Sequence, residues 1–242
     1  MSKIKLKKFK DPNNKNVIKK GMLPDLPTRT LIAGQSGSGK TQILLSLLLS
    51  DDAYKNDFEG ENMYVFAPNI CNKLNYLVEK KKIPEMNLFI GDLDEELLRE
   101  LYEKLIEDYK NSIYLEEKPA HTCLIFDDLG FSSVMTSKKK NDIFNKIACN
   151  SRKWLISTFT LVQDYYQINK VIRNNQTSLF LFNMNNRSLE AVEQENNYLK
   201  DKNSFKSMMR DNLQERHDFV IVNYSNTRNQ GIYLNKDFEK IG

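Results

Sequence analysis

The string Gly34-Gln-Ser-Gly-Ser-Gly-Lys40-Thr41 constrains the fold of this chain more than any other feature. It fits the pattern GxxxxGK[ST], directly follows the apolar run Arg29–Ala33, and directly precedes the helical run Lys40–Leu49. Glycines let such a loop turn its backbone N–H groups inward around a phosphate at the helix N-terminus, where the helix dipole also favours an anion. The string therefore predicts a phosphate-binding loop between a strand and a helix.

The same loop carries the side chains that bind a nucleoside triphosphate. Lys40 is expected to bridge the β- and γ-phosphates of ATP, and Thr41 to ligate Mg²⁺. A glycine-rich turn that binds nothing is the alternative, which the full pattern in this position disfavours. The predicted nucleotide-binding residues are Gly34, Ser36, Gly37, Ser38, Gly39, Lys40 and Thr41.

Two adjacent carboxylates, Asp127 and Asp128, follow the apolar run 122–126 (TCLIF). Open α/β sheets place their sites at the carboxyl ends of strands. Asp127 suits a contact with Mg²⁺ beside Thr41, and Asp128 suits polarising the water that attacks the γ-phosphate. A solvated turn that merely ends the strand is the competing interpretation.

Gln163 follows a fourth predicted strand, at residues 155–161. If this strand lies beside the phosphate loop, the Gln163 amide can sense the γ-phosphate or orient the attacking water. A single glutamine after a strand is weak evidence by itself, so this hypothesis depends on the surrounding sequence.

Short β-branched or aromatic runs alternate with helical patterns, which is typical of an α/β domain with a mainly parallel sheet flanked by helices. The predicted strands are 29–33, 63–67, 122–126, 155–161 and 178–182, with a closing hairpin at 219–224 and 231–234. The predicted helices are 40–49, 71–81, 94–109 and 141–150, with a polar turn and short helix at 164–175 and a helical segment within 186–216. Residues 69–120 form a lateral excursion, with a short apolar run at 87–90, for which the sequence suggests no role.

The 242 residues are enough for one sizeable core, and the charge is distributed unevenly. Residues 1–20 contain eight lysines and one acid, so this segment carries +7 and the remaining 222 residues carry −3 of the total of +4. The sequence therefore predicts a basic N-terminal arm at 1–22 and an ATPase domain at 23–242. The domain would end in a helical segment and a β-hairpin, together 186–242.

Several classes of protein lack support. No apolar run reaches the roughly 20 residues that cross a bilayer, and the start of the chain lacks the apolar segment of a signal peptide. The cysteines (Cys71, Cys123 and Cys149) are widely spaced, which indicates reduced thiols rather than a zinc site or disulfides. His121 and His217 are isolated, so protease, nuclease and metal-hydrolase functions have no candidate residues.

The string 151–175 (SRKWLISTFTLVQDYYQINKVIRNN) is where a family resemblance becomes specific. It resembles the poxvirus-type genome-packaging ATPases of large DNA viruses and virophages, which belong to the FtsK/HerA superfamily. In that family an Arg-His pair opens the strand, a Gln ends it, and an Ile-Arg-x-Asn string follows. Here Lys153 replaces the His, and the resemblance covers about residues 29–184.

The resemblance implies a RecA-like (ASCE) P-loop NTPase core in which Lys40, Thr41, Asp127, Asp128 and Gln163 have the roles given above. It also implies a homo-oligomeric ring, a hexamer or a pentamer, in which an arginine of one subunit reaches the γ-phosphate bound by its neighbour. Arg173 is the first choice for this arginine and Arg152 the second, because both flank the strand that Gln163 ends. The alternative for Arg173 is a helix cap or a pair with a surface acid.

The implied function is ATP-driven translocation of double-stranded DNA into a preformed capsid. The implied partners are duplex DNA and a capsid or portal-vertex protein, with action in the host cytoplasm or viral factory and possible association with the virion. The basic arm and the run 137–141 (SKKKN) are the candidate DNA-binding segments. A solvated charge run is the alternative for 137–141, and docking on a protein is the alternative for the arm.

Three other functions remain open. A helicase or helicase loader would act on single strands and would be expected to carry aromatic stacking residues in its pore loops, but 131–141 offers only Phe131. A nucleotide-gated capsid assembly factor would bind ATP without pumping DNA. A small P-loop kinase is disfavoured by Asp128 and by the lack of an arginine-rich lid.

Overall fold

The computed structural model describes residues 17–129, 142–226 and 231–242. Its strands in these ranges are β1 (Arg29–Ala33), β2 (Met63–Ala67), β3 (Leu88–Ile90), β4 (Thr122–Asp127), β5 (Ile156–Val162), β6 (Ser178–Phe182), β7 (Phe219–Asn223), β8 (Tyr233–Leu234) and β9 (Lys240–Ile241). They form one sheet in the order β3-β2-β4-β5-β1-β6-β7-β8-β9. Strands β1 to β6 are parallel, whereas β7, β8 and β9 each run antiparallel to the preceding strand.

Helices cover both faces of this sheet. Within the described ranges they are α1 (Lys40–Leu49), α2 (Asn72–Lys81), α3 (Glu95–Tyr114), α4 (Ile143–Asn150), α5 (Lys170–Asn174), α6 (Asn186–Asn196) and α7 (Lys202–Asn212). Helices α1 and α2 contribute to one buried apolar cluster, and α3 to α7 contribute to the other. The structure thus confirms the predicted α/β class, with a mainly parallel sheet between two helical layers.

The central strand β1 shows why its residues Leu31, Ile32 and Ala33 are consecutively apolar. Leu31 and Ala33 belong to the cluster under α3 to α7, whereas Ile32 belongs to the cluster under α1 and α2. A strand that is buried on both faces has no reason to alternate apolar and polar residues. The same explanation holds for β4, where Cys123 is completely buried.

The order of the strands determines the location of the site. Strand β5 lies between β1 and β4, and the three strands are parallel. Their carboxyl ends therefore meet at one edge of the sheet, where β1 enters the phosphate loop. This edge also holds the last residue of β4, Asp127, and the residue after β5, Gln163.

The predicted elements occur in the predicted order, with shifts at some ends. The predicted helix at 94–109 is α3, which continues to Tyr114. Strand β5 begins at Ile156 rather than at residue 155, because Leu155 has a left-handed backbone with φ of 55°. The predicted polar turn and short helix at 164–175 are the 3-10 turn Tyr165–Gln167 and α5, with the extended Ile168 between them. The predicted hairpin is β7 and β8, and β9 was not predicted.

The start of the described chain packs on the domain. Ile18 pairs with Leu26 through two backbone hydrogen bonds of 3.0 Å, and Lys20 forms an ion pair with Asp57. Residues 17–22 of the predicted arm are thus attached to the folded domain, and residues 1–16 lie outside the described residues. Within the described ranges, no helix combines the length and the hydropathy that crossing a membrane requires.

Candidate active site

The phosphate loop joins β1 to α1, and its glycines are required by its geometry. Gly37 and Gly39 have φ values of 74° and 112°, a backbone region that side chains disfavour. A Cβ atom on Gly34 would lie 2.6 Å from the Cβ atom of Phe182, which leaves no room for a side chain. The pattern of glycines in the sequence thus matches the positions where the backbone needs them.

The phosphate loop has hydrogen-bond donors that are available to bind an anion. No side chain caps the N-terminus of α1, so its first N–H groups point toward the loop without a side-chain acceptor. The Ser38 Oγ atom is buried and has no hydrogen-bond partner among the described residues. A phosphate seated on the helix N-terminus could accept from both, so the loop fits the nucleotide that the sequence predicts.

Lys40 lies inside the loop and contacts the loop backbone. Its Nζ atom donates to the carbonyl oxygens of Gly34 at 2.8 Å and Gln35 at 3.1 Å. Burial lowers the pKa of Lys40, and the charges of Asp128 and Asp127 oppose this shift. The ammonium group is therefore held between the phosphate loop and the two carboxylates, where a triphosphate would place its β- and γ-phosphates.

Asp127 and Asp128 occupy the end of β4 as predicted. Asp127 is the last residue of the strand, and Asp128 follows with a left-handed φ of 54°. Burial and the neighbouring charge of Asp128 raise the pKa of Asp127 to about 6, and Lys40 partly opposes the shift. A carboxylate that is desolvated in this way gains from a cation placed beside it.

Gln163 and Asp128 are in direct contact. The Nε2 atom of Gln163 donates to both carboxylate oxygens of Asp128, at 2.9 Å and 2.8 Å. The contact exists because β5 is paired to β4, with Asp127 opposite Leu161, so that both strands end together. The structure thus brings together the two residues that the sequence assigns to the attacking water.

The residues present could hold Mg²⁺ only together with a nucleotide. Thr41 is the second residue of α1, and Asp127 ends β4, so each can supply one oxygen ligand. Within the described ranges, no group of three or more His, Cys, Asp or Glu side chains could hold a metal ion. Mg²⁺ commonly completes its ligands with substrate phosphates and water, and this donor set fits that arrangement.

Arg173 has a buried position and several internal partners. Its Nε and Nη2 atoms donate to the two carboxylate oxygens of Glu195 at 3.0 Å and 2.7 Å, and its Nη1 atom donates to the Ile168 carbonyl at 2.5 Å. The guanidinium carbon also lies 5.1 Å and 5.3 Å from the ring centres of Tyr165 and Tyr166. An arginine that reaches a neighbouring subunit needs a free head group, so this geometry disfavours Arg173 in that role.

Arg152, the second choice, is exposed. It lies in the 3-10 turn Ser151–Trp154 that precedes β5. Lys153, which stands where the resembling family has His, is also exposed and donates to the Asn150 side chain at 3.1 Å. The basic run 137–141 lies outside the described residues.

Two residues at the phosphate loop were not predicted from the sequence. The Nδ1 atom of His217 lies 2.9 Å from the Ser38 carbonyl oxygen, and the Arg216 guanidinium lies against Gly37. Both precede β7, which pairs with β6 beside β1. No sequence motif marks this approach, because it results from an antiparallel strand returning to the loop.

A comparison with protein families gives one match over nearly the whole chain. The model of the family described as poxvirus A32 protein matches residues 16–239. No curated protein sequence gives a significant match. The family match begins one residue before the described residues, within the lysine-rich segment.

Comparisons with solved structures identify the same fold in genome-packaging proteins of Sulfolobus viruses. The genome packaging NTPase B204 from Sulfolobus turreted icosahedral virus 2, in complex with AMP, has a TM-score of 0.58 and 11% identity, covering 89% of this chain and 98% of that chain. The same protein in complex with ATP-gammaS has a TM-score of 0.54 and 12% identity, covering 82% of this chain and 92% of that chain. The DNA-packaging ATPase B204 from Sulfolobus Turreted Icosahedral Virus has a TM-score of 0.53 and 12% identity, covering 83% of this chain and 94% of that chain. These likenesses show a shared fold.

Proposed function

The chain belongs to the poxvirus A32 protein family and is a P-loop ATPase, and from this premise we propose that it packages double-stranded viral DNA into a preformed capsid by ATP-driven translocation. The proteins of similar fold are described as a genome packaging NTPase and a DNA-packaging ATPase. We propose the same genome-packaging function for this chain, in the host cytoplasm or viral factory.

The family match supports the packaging role, and the contact between Gln163 and Asp128 is the observation that supports ATP hydrolysis as its energy source. A P-loop protein that only binds nucleotide has no need of a second carboxylate whose two oxygens accept from an amide on the adjacent strand. In the proposed mechanism, Asp128 accepts the proton of the attacking water, and Gln163 orients that water toward the γ-phosphate. When the γ-phosphate is present, it offers the Gln163 amide a second acceptor.

The loop residues have separate roles in this mechanism. Lys40 exchanges its two carbonyl acceptors for phosphate oxygens, which stabilise its charge more strongly. Thr41 and Asp127 would hold Mg²⁺, which when bound would supply positive charge beside the phosphates. Burial and the charge of Asp128 raise the pKa of Asp127, so a cation at this position would favour its ionised form.

We further propose that the active form is a ring and that Arg152 supplies the arginine acting on the neighbouring subunit. Arg152 is exposed, whereas Arg173 is buried against Glu195. A trans arginine stabilises charge on the transferred phosphoryl group and can increase the rate by ~10³ to 10⁵. A ring would also place many copies of the basic segments around one duplex.

Steady-state ATPase activity, measured with long duplex DNA, with single-stranded DNA and without DNA at two salt concentrations, tests the proposal. We expect stimulation chiefly by the duplex, stronger at low salt because phosphate contacts release counterions. Stimulation chiefly by single strands would favour the helicase or helicase loader. Activity that ignores both DNAs would favour the nucleotide-gated assembly factor, and in each case the Lys40→Ala variant should be inactive.

A further inference from the structure

The turn at residues 213–218, between α7 and β7, borders the phosphate loop from the side opposite the carboxylates. Strand β7 begins at Phe219, which pairs with Phe182 at the carboxyl end of β6. Strand β6 is paired to β1, so the turn meets the loop at the same sheet edge as Gln163 but across β1 from it. The loop thus has Asp127, Asp128 and Gln163 on one side and this turn on the other.

His217 fixes the turn to the loop. Its Nδ1 atom lies 2.9 Å from the Ser38 carbonyl oxygen. A carbonyl oxygen can only accept, so Nδ1 carries the hydrogen and donates it. Asp218 holds the turn from within, because its carboxylate accepts from the Glu215 N–H at 2.8 Å and pairs with Lys236 at 2.7 Å. The adjacent Arg216 is therefore presented at a defined place.

The Arg216 head group lies against the loop, at Gly37. A side chain at Gly37 would collide with the Nη2 atom of Arg216, which shows how closely the guanidinium approaches the loop backbone. Arg216 is exposed, and among the described residues it makes no hydrogen bond or ion pair. Ser38, the residue that His217 contacts, also has a buried Oγ atom without a partner among those residues. The Arg216 guanidinium and the Ser38 hydroxyl are thus both available to bind an anion at the phosphate loop.

We propose that Arg216 binds a phosphate oxygen of the nucleotide held by its own subunit, and that His217 is the residue that positions it. The γ-phosphate faces Asp128 and Gln163, so the opposite side of the loop faces the phosphates nearer the nucleoside. Arg216 therefore contacts a phosphate that ATP and ADP share. This inference requires nucleotide binding by the loop and is independent of whether the protein packages DNA.

Equilibrium binding of ATP and ADP to the full chain without DNA tests Arg216. We expect Arg216→Ala to weaken both nucleotides about ten-fold, the effect of one charge-assisted hydrogen bond to phosphate. Arg216→Lys should recover part of the loss, because it keeps the charge but not the planar fork. Arg210→Ala, which removes another exposed arginine in the preceding helix α7, should bind both nucleotides as the wild type does.

Three results would overturn the assignment. Unchanged affinity in Arg216→Ala would mean that the guanidinium does not touch the nucleotide. A loss confined to ATP would place the contact at the γ-phosphate. An equal loss for adenosine would place it at the nucleoside rather than at a phosphate. If neither the wild type nor Arg210→Ala bound nucleotide, the ATPase assignment itself would fail, which is a different result.

His217 is tested by a double-mutant cycle. If His217 acts by holding Arg216 in place, His217→Ala should weaken ADP binding, and the double variant should lose no more than Arg216→Ala alone. Additive losses would show that His217 acts independently and would remove its positioning role. Unfolding curves for the four proteins should coincide within error, because both side chains are exposed.

Discussion

At the residue scale, the amide of Gln163 holds both carboxylate oxygens of Asp128, so the carboxylate is oriented before any substrate arrives. Replacing Asp128 by Asn keeps the shape of the side chain but removes its ability to accept a proton. We expect Asp128→Asn to bind ATP normally and to hydrolyse it roughly 10² to 10⁴ times more slowly, the usual contribution of a general base. Single-turnover hydrolysis and equilibrium ATP binding measure the two effects separately.

The matched control for this variant is Asp237→Asn, which makes the same chemical change at an exposed carboxylate. Asp237 lies in the turn between β8 and β9, far in sequence from the phosphate loop. Its hydrolysis rate should equal that of the wild type. Normal turnover in Asp128→Asn would remove Asp128 from the mechanism. The bidentate contact with Gln163 would then be a structural link between β4 and β5.

At the scale of secondary-structure elements, Arg173 links α5 to α6 through Glu195. Both side chains are at least 90% buried, and their contact is bidentate. Removing one partner leaves the other charge buried and unpaired, which typically costs about 3 to 5 kcal/mol. We therefore expect Arg173→Ala to lower the free energy of unfolding by about this amount, measured by urea denaturation, whereas Arg152→Ala should change it little. Equal stability of the two variants would contradict the structural role of Arg173.

The same pair predicts a dependence of stability on pH. Burial raises the pKa of Glu195, but the hydrogen bonds from Arg173 and Tyr165 outweigh burial and leave the pKa below its ordinary value of 4.5. A lowered pKa in the folded state stabilises the fold above pH 4.5, and this contribution disappears as the pH falls through the folded-state value. The stability difference between wild type and Glu195→Gln should therefore be largest near neutral pH and shrink in acid. A difference that is constant from pH 7 to pH 3 would contradict this account.

The sequence predicts the elements best where local signals determine both ends. Strand β1 and helix α1 match their predicted bounds, because a glycine loop separates them and Ser50 ends the helix in an extended conformation. Asp127, Asp128 and Gln163 were predictable because parallel strands end at a common edge. The partner of Arg173 was not predictable, since Glu195 lies on another helix. Arg216 was missed because only the antiparallel pairing of β7 brings it to the loop.

At the scale of the whole molecule, part of the lysine-rich N-terminal segment is attached to the folded domain. Lys19 and Lys20 pair with Asp25 and Asp57, so residues 17–22 belong to the folded domain. Deleting residues 1–16 removes six lysines and one acid and leaves these ion pairs in place. If the arm binds DNA, the deletion should reduce the slope of log K against log salt by ~0.9 for each DNA phosphate that the arm neutralises. An unchanged slope would assign the arm to binding a protein.

The ring and its trans arginine can be tested by complementation between two inactive variants. Lys40→Ala should not bind nucleotide but still carries Arg152, whereas Arg152→Ala should bind nucleotide but lacks the arginine for its neighbour. In co-expressed mixed rings, some Arg152→Ala subunits have a Lys40→Ala neighbour. The active site of such an Arg152→Ala subunit has its own Lys40 and receives Arg152 from that neighbour. With equal, random mixing, about a quarter of the sites should have this arrangement, so ATPase activity should reappear.

The control pairs Lys40→Ala with Asp128→Asn, two changes that both act within one subunit. Every site in that mixture retains one cis defect, because each subunit carries one of the two changes and a neighbour cannot replace either residue. This mixture should therefore stay inactive, while the Arg152→Ala mixture recovers. Failure of both mixtures, with mixed rings confirmed by native mass spectrometry, would mean that Arg152 acts in its own subunit or not at all. If only the Arg152→Ala mixture recovers activity, each active site must receive Arg152 from the neighbouring subunit. Hydrolysis then requires the assembled ring.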